Sequence, residues 1–210
     1  MLQISNSTEL PAELGATAVA IGKFDGLHLG HQQLLHELVE YCQDAGLVPA
    51  AITFDRHPKA LLDPDNCPRP LIGPMQKSNL VEATGVEVLL TLPFTQELAN
   101  LSPRAFIEQV IAPLSAQMIF VGQGFRFGSH GSGGIDDLRA LGPEFGFRVR
   151  EVANVEVAGR KISSTDLREI LDAGKVEVAN LLLGRSHQVT GLVEHGRKLG
   201  RTLGFPTANI

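Results

Sequence analysis

The stretch GKFDGLHLGHQQLL, Gly22 to Leu35, decides how the chain is read. An apolar run, ATAVAIG (Ala16–Gly22), leads into it and predicts a buried strand. The segment HQQLLHELVEYCQDAG leaves it as a helix, because Leu34, Leu35, Leu38, Val39 and Cys42 recur at spacings of three and four, with Gly46 placed to cap its end. Between them lies a glycine-rich turn that carries two histidines, His28 and His31.

Further strands are expected at LVPAAITF (47–54), VEVLLTL (86–92), QMIFVG (117–122) and GFRVREV (146–152). Helical patterns separate them, notably SPRAFIEQVI, where Ser102 is a good N-cap and Pro103 suits the first helical position. Strands alternating with helices imply right-handed crossovers and a mostly parallel sheet, hence a doubly wound α/β domain. The pattern changes after Leu183. Gln188 to Val193 alternates as a strand, a Gly- and Arg-rich loop follows, and no helical period remains. This tail is expected to open a β-rich module, for which about 25 residues are far too few to close a barrel.

Composition narrows the function. At 210 residues, 43% hydrophobic and 20% charged, the chain has the make-up of a soluble globular protein. A net charge of −5 and no run of five or six basic residues disfavour a duplex-binding surface. Ten Phe, one Tyr and no Trp provide little for stacking single-stranded bases. Cys42 and Cys67 form no CxxC pair and are expected as free thiols in a reducing compartment. The N-terminus lacks a basic region followed by an apolar one, and no window reaches about 18 uninterrupted apolar residues. The expectation is a cytoplasmic protein with neither a membrane nor a nucleic-acid partner.

In a doubly wound sheet, ligands gather beyond the carboxyl ends of the strands, where helix N-termini point. Gly26 and Gly30 let backbone amides approach such a ligand, and the free N–H groups opening the helix favour an anion. His28 and His31, three apart, can share one face toward it. Two nucleotide signatures fail here. A Walker loop would need glycine at position 17, which is Thr, and Ser or Thr at position 24, which is Phe. In GQGFRFG, Gly122, Gly124 and Gly128 miss the dinucleotide spacing by one. From the turn alone, phosphate binding, a metal held by His28 and His31, and ordinary capping or packing histidines all stand.

Seven segments in order resemble one family: IGKFDGLHLGHQQLL, TFDRHP, LLTLPF, VGQGFRFG, ISSTDLR, LLLGR and GRTLGFPTANI. FDGLHLGH resembles the HxGH signature of the nucleotidylyltransferases, and the full set resembles the prokaryotic bifunctional riboflavin kinase/FAD synthetases. The resemblance implies a Rossmann-like doubly wound sheet of the HxGH type over residues 1–184. Residues 185–210 would be the truncated start of the kinase β-barrel. It implies transfer of the adenylyl group of ATP to FMN, giving FAD and pyrophosphate, with Mg²⁺ accompanying ATP. His28 and His31 are then stabilisers of the α-phosphate rather than bases, and Arg168 holds the leaving pyrophosphate. The ATP side comprises Gly22, Phe24, Asp25, Gly26, His28, Gly30, His31, Ser163, Ser164, Thr165 and Arg168. The flavin side comprises Thr53, Phe54, His57, Pro58, Gly124, Phe125, Arg126 and Phe127. Thr207 and Asn209 match residues that hold Mg²⁺ and ATP phosphates in the kinase domain. Because the chain stops at Ile210, riboflavin kinase activity is expected to be missing, so riboflavin would not be a substrate.

The resemblance has three departures. Arg56 stands where the family usually has Pro, Gly124 where it has Asp or Asn, and Gln76 where Glu usually precedes Lys. Rival readings are a sister nucleotidylyltransferase acting on another phosphate, and a flavin- or nucleotide-binding module without turnover.

Overall fold

The computed structural model describes residues 1–196, other than 12 and 158, together with 204 and 205. Six strands form one sheet: β1 (Leu2–Ile4), β2 (Thr17–Ile21), β3 (Val48–Phe54), β4 (Val88–Leu92), β5 (Ala116–Gly122) and β6 (Arg148–Val152). Around them run α1 (Leu29–Ala45), α2 (Lys59–Leu62), α3 (Pro74–Glu82), α4 (Gln96–Asn100), α5 (Pro103–Phe106), α6 (Ile135–Phe145), α7 (Ser164–Asp172) and α8 (Val176–Leu183). A short antiparallel hairpin, β7 (Glu156–Val157) with β8 (Arg160–Lys161), precedes α7.

The sheet order is β1-β4-β3-β2-β5-β6, and every pairing is parallel. From β2 the chain steps outward through β3 and β4, then crosses back to β5 on the other side. The order therefore reverses between β2 and β5, which is where open α/β sheets leave a crevice for ligands. The expected mostly parallel, doubly wound architecture is present. β1 was not anticipated: three residues at an edge give too short a pattern to read.

β2 is buried along its whole length, and its alternation divides the core. Val19 and Ile21 point to one side with Ile52, Leu90 and Ile119, packed against Phe106, Ile107 and Leu138. Ala18, Ala20 and Ala51 point to the other side, under Leu34, Leu35 and Leu38 of α1. Alanines there let α1 lie close to the strands, and this closeness brings its N-terminus to the end of β2. Gly46 ends α1 in the left-handed conformation, as the sequence suggested. Ser102 caps α5 through Ala105 N–H at 3.2 Å. The helix expected over Ser102–Ile111 is not uniform. Beyond Phe106 it widens into a π-helical turn, Ile107–Ile111, which seats Ile107, Val110 and Ile111 together in the core.

Gln188–Val193 corrects the expectation of a strand. No strand forms there, and Val189, Leu192 and Val193 are 71%, 88% and 69% exposed. A strand needs ladder partners and a face to bury, and among the described residues none pairs with this segment. Thr207 and Asn209 lie outside the described residues, as does most of the GRTLGFPTAN loop.

Candidate active site

The turn between β2 and α1 is strained. Gly26 has φ +79°, the left-handed region open to glycine, but Phe24 (φ +49°) and Leu27 (φ +38°) occupy the same region with full side chains. Such residues cost about 1–3 kcal/mol each and persist only where their surroundings hold them. Here both side chains are fully buried. The Leu27 carbonyl accepts from Gln32 Nε2 at 2.8 Å and Arg185 Nη1 at 2.9 Å, and the Gly26 carbonyl from Arg185 Nη2 at 2.6 Å.

The turn delivers His28 as the N-cap of α1, one turn earlier than the apolar period alone suggested. His28 Nδ1 accepts from the backbone N–H of His31 at 3.3 Å. The two imidazoles stack, 3.7 Å apart and 17° from parallel, and the Phe24 ring meets His31 edge-on at 5.5 Å. His28 is 6% exposed, and burial pushes its pKa down to about 4. Burial, then the neighbouring His28, Lys23 and Lys77, hold His31 well below the ordinary 6.5. Both rings are neutral at pH 7. Since Nδ1 of His28 is an acceptor, its proton resides on Nε2, which is thereby a donor. His31 Nδ1 is buried without a hydrogen-bond partner.

These buried neutral rings make stability pH-dependent. Unfolded, His28 takes up its proton near pH 6.5; folded, it resists down to about 4. Its stabilising contribution is complete above pH 6.5 and is lost as the pH falls toward 4, by about 3 kcal/mol for this one group. Urea unfolding midpoints measured at pH 7 and pH 4.5 should therefore decline, and less steeply in His28→Asn. Equal slopes for the two proteins would refute the assignment.

α7 brings the second constellation to the same place. Ser163 caps it, accepting from Asp166 N–H at 3.2 Å, as the Ser163–Asp166 spacing predicted. Ser164 Oγ donates to the Asp25 carbonyl at 2.9 Å, while Thr165 is exposed. Arg168 donates to Asp25 Oδ2, to the Arg69 carbonyl at 2.7 Å and to the Ser164 carbonyl at 3.1 Å. Asp25 Oδ1 in turn accepts from Leu71 N–H at 2.9 Å. The Arg168 and Asp25 side chains are only 17% and 14% exposed. The turn, α7 and the loop before α3 are thus tied through one ion pair. A small cluster of Leu167, Ala179 and Leu183, packed with Leu71, supports it from behind.

Beside the turn opens a cleft of about 870 Å³ at the ends of β1, β3 and β4. Lys23, Asp25, Phe54, His57, Ile72 and Lys77 are among its walls. Thr53 is buried beneath it, donating from Oγ1 to the Lys23 carbonyl at 3.1 Å. Pro58 starts α2 and stands off the cleft wall. On one wall Lys23 Nζ lies 3.4 Å from His57 Nε2. His57 Nδ1 already accepts from Lys59 N–H at 3.1 Å, so Nε2 of the neutral ring is a donor. Two donors therefore face each other without an acceptor between them. Desolvation, then Lys23 and Arg168, push His57 down to about 4, and desolvation followed by Arg168 lowers Lys23. A phosphate oxygen has the charge and the acceptor capacity that this corner lacks.

The GFRFG loop stands apart from that cleft, after β5 on the far side of the switch point. Phe127 is buried against Phe106, with ring centres 5.7 Å apart, and stacks on Phe125. Arg126 is exposed and donates within its own loop, to the Gly131 carbonyl at 2.7 Å. Gly124 has φ +75° with open space where a side chain would stand, so the Asn or Asp usual in the family would fit there with tolerable strain. Gln76 ties two segments together, because Oε1 accepts from Gly73 N–H at 3.0 Å and Nε2 donates to the Gln188 carbonyl at 3.1 Å. A Glu could make only the first of these bonds. Arg56 turns to Asp55, 3.0 Å away, on the exposed rim.

Three cations were missed in the sequence. Lys23 lay inside the quoted stretch but reads there as a solvated residue. Lys77, which donates to the Phe54 carbonyl at 3.1 Å, and Arg185 arrive from distant segments, and only the fold brings them together.

The FAD synthetase family model matches residues 10–166 and the riboflavin kinase model residues 183–210. The bifunctional riboflavin kinase/FMN adenylyltransferase of Bacillus subtilis (strain 168) is 39% identical over 94% of this chain and 63% of its own length. That of Escherichia coli (strain K12) is 34% identical over 99% of this chain and 66% of its own. The chain thus spans less than two thirds of the length of the curated relatives it matches. A crystal structure described as a macrolide-efflux protein from Streptococcus pneumoniae superimposes with a TM-score of 0.85 at 32% identity, over 99% of this chain and 67% of that one. Among the described residues no helix is long and apolar enough to cross a membrane.

Proposed function

We propose that this chain, which belongs to the FAD synthetase family, transfers the adenylyl group of ATP to FMN, giving FAD and pyrophosphate. The observation that carries the reading is the stacked, neutral His28–His31 pair at the N-terminus of α1, at the sheet's switch point.

The chemistry asks for this arrangement. A phosphate oxygen of FMN attacks the α-phosphorus of ATP. The new P–O bond forms as the bond to the β-phosphate oxygen breaks, and the electron pair leaves with pyrophosphate. The nucleophile has its second pKa at about 6, so it is mostly dianionic at pH 7 and needs no base. Neutral histidines suit that, because they donate hydrogen bonds without removing a proton. His28 Nε2–H, His31 and the free amides opening α1 would stabilise charge building on the α-phosphate. Arg168 and the hydroxyl-bearing start of α7 would hold the leaving β- and γ-phosphates. Mg²⁺ would enter bound to ATP, held mainly by phosphate oxygens and water.

Lys23 and His57 would take the phosphate of FMN, with the isoalloxazine in the cleft lined by Phe54 and Ile72. Lys23→Met should raise KM for FMN about tenfold, the worth of one charge-assisted hydrogen bond, and leave KM for ATP within about twofold. Steady-state kinetics with each substrate varied in turn measures this; equal rises in both constants would count against the assignment.

The direct test is chromatographic detection of FAD from FMN, ATP and Mg²⁺, with riboflavin and ATP run in parallel to read any second activity separately. FAD accompanied by equimolar pyrophosphate supports the reading. Folded protein that binds both substrates and forms no FAD overturns it.

A further inference from the structure

Arg185 belongs to none of the groups so far given a chemical role, yet it donates to two successive carbonyls of the strained turn, those of Gly26 and Leu27. Gly184 ends α8 in the left-handed conformation and turns the chain back toward α1. The half-buried Arg185 side chain then reaches across to the segment just before His28. Nη2 donates to the Gly26 carbonyl at 2.6 Å; Nη1 donates to the Leu27 carbonyl at 2.9 Å and the Leu183 carbonyl at 3.3 Å. Gln32, on the first turn of α1, donates from Nε2 to the same Leu27 and Leu183 carbonyls, both at 2.8 Å. The guanidinium fork and the Gln32 amide thus converge on the Leu27 and Leu183 carbonyls. The segment carrying Arg185 is itself fastened, by His187 N–H to Asn180 Oδ1 at 2.6 Å and by Gln76 to the Gln188 carbonyl.

We propose that Arg185 is a positioning residue for adenylyl transfer, holding Gly26 and Leu27 in their left-handed conformations so that the next residue, His28, presents Nε2–H to the α-phosphate. The inference rests on the adenylyltransferase reading. Its consequence is that the adenylyl site is completed by a residue of the segment that the riboflavin kinase model matches. The geometry demands arginine. Two successive carbonyls are engaged by two nitrogens of one planar group, whereas a lysine ammonium is a point donor on a flexible stem. Without the fork, Leu27 can relax its backbone, and the imidazole that follows moves with it.

The test compares the wild type with Arg185→Ala and Arg185→Lys. In both variants kcat for FAD formation should fall about 10- to 100-fold, the range for losing hydrogen bonds to a charged group, with KM for ATP and FMN within about twofold. Millimolar guanidinium should restore part of the rate of Arg185→Ala, and methylammonium should not. The second readout needs no turnover. The ¹⁵N resonances of His28 should report a ring protonated at Nε2 in the wild type and a mixture of tautomers in Arg185→Ala. A lowered melting temperature with unchanged kcat, or unchanged kcat alone, would make Arg185 a structural tether and overturn the proposal. If the wild type itself forms no FAD, the activity reading fails. An unaltered His28 resonance in Arg185→Ala would then overturn the positioning role separately.

Discussion

FAD formation should fall about 10²- to 10³-fold in a His28→Asn variant that melts within a few degrees of the wild type. Asparagine is chosen because His28 has two roles that can be separated. As N-cap it accepts from His31 N–H through Nδ1, and losing a cap costs about 1 kcal/mol. Asn is among the best caps, so its side-chain oxygen supplies that acceptor and α1 keeps its start. What Asn cannot supply is Nε2–H at the far end of an imidazole, nor a ring to stack 3.7 Å from His31. Removing one preorganised donor from a developing negative charge costs about 10²–10³ in kcat. KM should change little, because the donor acts on charge that appears as the α-phosphate is attacked. A His28→Asn enzyme with near-normal kcat would mean that the buried pair only caps and packs, which was one of the readings the turn by itself left open.

The glycine turn, the capped α7 and the parallel alternation were legible in the sequence because each is local. A strand pattern, a helix period and a cap all lie within about 15 residues. Ser163 and Asp166 announce their bond by spacing, and Gly46 its left-handed cap. The site's anion-binding face was not local. Lys23, His57 and Lys77 come from three segments; His57 was marked only by its resemblance to the family's TFDRHP segment, and the two lysines each read alone as a solvated residue. Nor could the sequence show that Arg168 is already engaged by Asp25, since 143 residues separate them. The expectation at Gln188–Val193 failed for the opposite reason. Alternation there is real, but a strand is a property of two segments, and among the described residues nothing pairs with it.

Arg168 and Asp25 yield the second large effect, and substituting them together separates structure from ligand binding. Arg168→Met leaves Asp25 only 14% exposed without its counter-charge, and breaking one side of such a pair costs about 3–5 kcal/mol. The same change removes the cation proposed for the leaving pyrophosphate, so activity should drop by about 10² or more. Low activity in the single variant is therefore ambiguous. Adding Asp25→Asn resolves it. The amide oxygen can still accept from Leu71 N–H, the contact made by Oδ1 at 2.9 Å, while the stranded negative charge is gone. Urea unfolding of the double variant should recover most of the stability lost by Arg168→Met, a coupling that a double-mutant cycle measures directly. Activity should not return, because no cation has been put back. If activity recovers with stability, Arg168 serves the fold alone and the pyrophosphate must be held elsewhere. If neither recovers, the three hydrogen bonds of Arg168 to Asp25, the Arg69 carbonyl and the Ser164 carbonyl matter more than its charge. Arg168→Lys would then be as damaged as Arg168→Met, since no ammonium can span those three acceptors.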